Sequence, residues 1–166
     1  MNNRIKKMTS LALTVSFALV LSFIESRVPA FVAIPGIKVG LANIAVIFCL
    51  YKFGLKEAVI VSGMRVLIVS LLFGSAVSLM YSVAGAALSI FTMVILKKLT
   101  RLGEAAISVA GGIMHNVGQI TMASILLDTN VVVYYLPFLI LSGTIAGIVV
   151  GVASAMLIKR IDIKLK

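Results

Sequence analysis

The chain contains no tryptophan, one cysteine, one histidine and five acidic residues among its 166 positions. Each scarcity removes a class of protein. Cys49 has no second cysteine to pair with, and without a CxxC or a His/Cys cluster no metal site is expected. Asp128 and Asp162 are the only aspartates, far apart in sequence, so the carboxylate cluster that holds magnesium against a diphosphate is missing. No GxxxxGK[ST], HExxH or GxSxG run occurs, which excludes a P-loop ATPase and the commonest hydrolase signatures. No catalytic residue and no cofactor is expected. Charge is scarce as well: 12% of residues are charged, against about 25% in a soluble domain. That excludes a soluble enzyme, a disordered tail and a soluble nucleic-acid-binding domain.

What the chain does have is apolar mass. It is 61% hydrophobic with a mean hydropathy of +1.20, the composition of an all-α integral membrane protein. Its net charge of +10 is gathered into four clusters: Arg4, Lys6 and Lys7; Lys52 and Lys56; Lys97, Lys98 and Arg101; and Lys159, Arg160, Lys164 and Lys166. The stretches between them, 8–51, 57–96 and 102–158, are each too long for one span of about 20 residues and suited to two. Basic clusters prefer the cytoplasmic side, so each stretch must leave and return as a hairpin. Six transmembrane helices in three hairpins follow, with both termini cytoplasmic, in a single membrane domain over 1–166. The helices are expected at about 8–24, 38–51, 57–73, 77–96, 104–127 and 134–158. The first reads as a retained helix, since no A-x-A cleavage site ends it. External turns fall at the proline-bearing 25–37 segment, at Phe73-Gly74-Ser75 and at Asp128-Thr129-Asn130, with Pro137 near the start of the last helix.

Small residues recur where helices must approach without a hydrophobic drive between them. Gly143, Gly147, Gly151 and Ala155 form one ridge. Ser10, Thr14, Ala18 and Ser22 form another, and Ala12 and Ser16 lie on an adjacent strip of the same helix. Packing within the bundle is the plain reading of such ridges; docking of a separate membrane protein is the sharper one.

The polar residues at membrane depth are few. Arg65 stands in the middle of the third helix, where an ionised side chain costs about 2.5–3.5 kcal/mol on insertion scales and must face the interior or a wet cavity. His115 and Gln119 share a face of the fifth helix at i, i+4, with Asn116 beside Gln119 at i, i+3. His115 alone can simply bridge two helices. Asn43 lies just inside the second helix, below Lys38, and Glu25 ends the first helix within reach of Lys38 or Arg27. Tyr81 lies one turn into the fourth helix and either lines a site or belongs to the interfacial aromatic belt. No acid lies deep in the membrane opposite Arg65, so it bonds backbone carbonyls and waters, pairs with Glu25 reaching inward, or meets a ligand with an anionic group, the last being favoured.

Three segments, SFIESRVPAFVAIPGIKVGLANIA (22–45), RVLIVSLLFGSAVSLMYSVAGA (65–86) and GGIMHNVGQ (111–119), resemble the Gx transporter family, whose members often carry the label heptaprenyl diphosphate synthase component I. The resemblance covers essentially the whole chain. That family is similar to the substrate-binding S components of energy-coupling factor (ECF) transporters, six-helix proteins that bind a micronutrient on the outer side. They topple in the membrane when a transmembrane coupling protein and two ATPase subunits turn over. The resemblance implies that the loop between helices one and two, with Glu25 and Arg27, gates the site. It also implies that Ala12 and Ser16 match the partner-docking AxxxA motif, with Ser in place of the second Ala.

The expected function is therefore capture of a small organic solute from the outer side of a bacterial plasma membrane. Lys38, Asn43, Arg65, Tyr81, His115, Asn116 and Gln119 are the candidate substrate-binding residues. No nucleic acid is expected as a partner; membrane lipid is. Two alternatives stand beside this: an accessory membrane subunit in isoprenoid or quinone metabolism, as the synthase label suggests, and a stand-alone secondary transporter using His115 for protons.

Overall fold

The computed structural model describes residues 3–27 and 40–161, and these form six α-helices. They are α1 (Asn3–Arg27), α2 (Asn43–Lys52), α3 (Leu55–Phe73), α4 (Ala76–Leu99), α5 (Glu104–Leu126) and α6 (Leu136–Arg160), with a 3-10 turn at Val131–Tyr135 ahead of α6. No strand occurs among the described residues. Three segments are long and apolar enough to cross a membrane by composition alone: Arg4–Ser26, Ala76–Leu99 and Val131–Arg160. The remaining helices are polar or short for identifiable reasons. Lys56, Glu57 and Arg65 interrupt α3, His115, Asn116 and Gln119 interrupt α5, and α2 has ten residues.

The bounds follow local chemistry. Ser75 caps α4 by accepting the Ser78 N–H at 3.2 Å. Pro137 sits in the first turn of α6, where its missing N–H is harmless. The α5–α6 turn contains Asp128 at φ 47 and is held by Ser124, whose hydroxyl donates to the Thr129 carbonyl at 2.7 Å. Helix α2 departs from the expected range of 38–51. It begins at Asn43, because Gly40 takes a φ of +91 that no helix accommodates and Leu41 and Ala42 form a turn. Most of the 25–37 loop, and Lys38 with it, lies outside the described residues.

The helices alternate in direction, and two sets of contacts define the ends of the bundle. At one end Lys7 of α1 pairs with Glu57 of α3, and the Lys97 ammonium of α4 donates to the Leu50 carbonyl of α2 at 2.6 Å. Gly151 near the end of α6 abuts Ala105 at the start of α5. The basic residues of these segments therefore gather at one end. At the opposite end the rings of Phe23 and Phe73 lie 5.6 Å apart, and Glu25 of α1 accepts the Gly40 N–H ahead of α2.

Packing around the bundle runs α1–α2–α6–α5–α4–α3 and back to α1. The outer surface is apolar: Phe17, Leu71, Phe91, Phe138 and Leu141 are all exposed. The interior holds Arg65, His115, Asn116 and Gln119. An apolar exterior around buried polar residues is the arrangement a lipid environment selects, and the chain is a helical membrane protein.

Glycine decides how closely the second half packs. A Cβ on Gly147 would stand 2.6 Å from the Val109 Cα, and one on Gly118 would stand 2.7 Å from the Ala84 carbonyl oxygen. Backbone contact of this kind joins α4, α5 and α6. On α3, Gly63 faces outward, and nothing lies within 4 Å of a Cβ there. The glycine ridge of α6 is thus internal. On α1 the two ridges divide: Thr14, Ala18 and Ser22 are buried, while Ala12 and Ser16 are exposed.

Candidate functional site: a buried polar chamber

Each helix reaches the chamber by its buried face. On α3 the positions Ser62, Arg65, Val66, Val69 and Ser70 are buried at helical spacing. On α4 the series is Ser82, Gly85 and Ser89, and on α5 it is Ser108, Gly111, His115 and Gln119. These faces converge, with Ser22 and Glu25 of α1 and Gly40 before α2, on a small cavity of about 20 Å³. Arg65, Ser70, Ser82, His115 and Gln119 complete its polar lining, and Val66 and Val69 its apolar wall. Gly40 also borders a second void of about 10 Å³, lined by Asn43, Ser89 and Ser108 among others. Each has room for about one water molecule.

The chamber is incompletely satisfied. Arg65 is 7% exposed, and among the described residues it forms no ion pair, the single one there joining Lys7 to Glu57. Glu25, also 7% exposed, is the acid whose charge acts on it. His115 Nδ1 and Gln119 Oε1 are buried without a hydrogen-bond partner, as is the Ser108 hydroxyl beside the second void. Leaving a buried polar atom unpaired costs about 1–3 kcal/mol, and an unpaired charge costs more. Arg65, His115 Nδ1 and Gln119 Oε1 face the same cavity in this unsatisfied state.

The seven expected site residues divide. Arg65, His115 and Gln119 come together in the chamber, with Glu25 of the expected gate. Asn43 borders the adjoining void. Asn116 turns away: its amide donates to the Leu139 carbonyl at 2.7 Å and ties α5 to α6. Tyr81 packs in an apolar cluster with Ile120, Ala123, Val132 and Leu139. Lys38 and the side chain of Arg27 lie outside the described residues. Ser70 and Gly85 were not singled out by sequence. Gly85 matters because a Cβ there would come within 2.9 Å of Gln119 Cγ and 3.0 Å of His115 Cε1. The one signal for Gly85 is the small-residue series Ser82, Gly85 and Ser89 at helical spacing on α4.

Asn116 provides a control. Asn116→Ala removes the tie to Leu139 and is expected to cost about 1–3 kcal/mol, lowering the thermal midpoint while solute affinity in folded protein stays unchanged. A lost affinity at unchanged stability would return Asn116 to the site.

The fold and chamber define a class: a helical membrane protein with a small polar pocket among its helices. Within that class the chain belongs to the heptaprenyl diphosphate synthase component I family, whose model matches residues 14–157. No curated protein and no solved structure matches the chain significantly.

Proposed function

We propose that this chain is the membrane-embedded, substrate-binding subunit of an ECF-type importer, similar to an S component, which captures a small organic solute from the outer side. The observation that carries the reading is the chamber: a buried guanidinium without an ion pair, facing the same cavity as the unpartnered His115 Nδ1 and Gln119 Oε1. Six spans in three hairpins, with both termini in the cytoplasm of a bacterium, place the basic end of the bundle inside and the Glu25–Gly40 end outside. The chamber is water-sized as it stands, so a solute enters only when the helices around it separate. Glycine backbone contacts join α4, α5 and α6, so α1 and α3 are the helices expected to move aside.

Energy would come from other chains, a transmembrane coupling protein and two ATPase subunits. Ala12 and Ser16, exposed on the outer face of α1, suit the docking of that coupling protein. Catalysis by this chain is not part of the proposal.

The test has two arms. Mass spectrometry of protein purified in mild detergent is expected to find one bound small molecule, and affinity purification from native membranes is expected to bring ATPase subunits with it. A soluble prenyl-transferring chain that copurifies instead, and gains activity from this subunit, would favour the accessory role that the family's name describes. Purified protein carrying no small molecule and no ATPase partner sinks the importer reading.

A further inference from the structure

The group that Arg65 meets inside the protein is itself a carboxylate. Glu25 lines the chamber with Arg65, accepts the Gly40 N–H ahead of α2 and acts on the arginine's charge without an ion pair between them. The chamber thus already accommodates one buried carboxylate, held by the Gly40 N–H. His115 and Gln119 keep unpaired atoms on the α5 side of the same space.

Resting on the substrate-binding reading above, we infer that the solute is a small organic carboxylate whose charged group is seated on Arg65, and that Glu25 is its competitor inside the chamber. A second carboxylate entering this water-poor space is repelled by Glu25, because like charges interact strongly where water is excluded. Glu25 therefore weakens the capture of an anion. His115 and Gln119 then fix the orientation of the uncharged remainder of the solute by hydrogen bonding. The competition does not depend on what else Glu25 touches, since removing one negative charge from the chamber favours any anion there.

The experiment uses full-length protein in detergent and reads the thermal midpoint against probe concentration, since a ligand that binds only the folded state stabilises it by mass action. The probes are acetate, methyl phosphate and methylammonium, and the proteins are the parent, E25Q and R65M. Glutamine preserves the acceptor for the Gly40 N–H; E25A serves as second variant if E25Q is not monodisperse. Acetate is expected to bind E25Q about tenfold more tightly than the parent, with no effect on R65M and no response to methylammonium. Equal or weaker acetate binding by E25Q overturns the competition, while loss in R65M would still uphold Arg65 as the binding residue. Methylammonium that stabilises the parent and not E25Q makes Glu25 a cation ligand and overturns it too. Methyl phosphate binding the parent more tightly than acetate overturns the carboxylate class. No response of parent or E25Q to acetate overturns the assignment altogether, whereas a small molecule found on the purified protein would leave the substrate-binding reading standing.

Discussion

Replacing Arg65 by methionine is expected to weaken solute capture by about a hundredfold or more and to leave the empty protein as stable as the parent, or more so. The first effect follows from the loss of a desolvated charged partner, which in other interfaces costs about 2–5 kcal/mol. The second follows from what Arg65 lacks. A guanidinium buried to 7% exposure without an ion pair carries a desolvation cost that methionine, of similar length and apolar, does not. Function and stability therefore separate at this residue, as they do where a site is held in an unsatisfied state for its ligand. The check is paired: solute retention by mass spectrometry, and the thermal midpoint of the same preparation. A midpoint that falls by many degrees makes Arg65 a structural residue and removes the main support for the binding site.

Gly147→Val is expected to do the opposite and abolish the fold while touching none of the residues around the Arg65 cavity. A Cβ at 147 would stand 2.6 Å from the Val109 Cα and 3.1 Å from the Val109 nitrogen. Those are backbone atoms, so no side chain can rotate out of the way and α6 must move off α5. Overpacking of this kind costs about 1–3 kcal/mol in forgiving sites and more where backbones meet. The expected outcome is loss of monodisperse protein on size exclusion, or a midpoint lower by about 10 °C. Gly63→Val on α3, where nothing lies within 4 Å, is the matched control and should be nearly neutral. If the two variants behave alike, helix contact through α6 is not what holds this half together.

The contrast between these residues also shows how far sequence could lead. Arg65, His115 and Gln119 were legible as interior because polar side chains in apolar runs have nowhere else to go, and they do share one cavity. Which interior direction each takes was not legible. Successive residues on a helix point about 100° apart. Asn116, one position after His115, therefore faces α6 and bonds to Leu139, while His115 faces Gly85 on α4. Tyr81, one position before Ser82, is likewise carried off the chamber into the apolar cluster with Ile120 and Leu139. A helix packed on two neighbours has two inner faces, and composition does not tell them apart. The turn chemistry was easier to read, since proline, glycine and Asp128-Thr129-Asn130 mark the ends of the helices. The start of α2 was not, because it depends on the backbone at Gly40 and on Glu25, a residue fifteen positions earlier.

The short second helix has a consequence for how the protein is made. Ile44 through Leu50 are all buried, so α2 presents no complete face to lipid. At ten residues it extends about 15 Å, half the thickness of the hydrocarbon layer. Such a segment cannot settle in the bilayer alone as the chain emerges from the ribosome. It must be carried in beside α1 and α3, and its far side stays uncovered until α6 arrives to pack on it. Biogenesis therefore has a late step, the closing of α6 over the face of α2 that carries the Ile44 carbonyl beside Ser154.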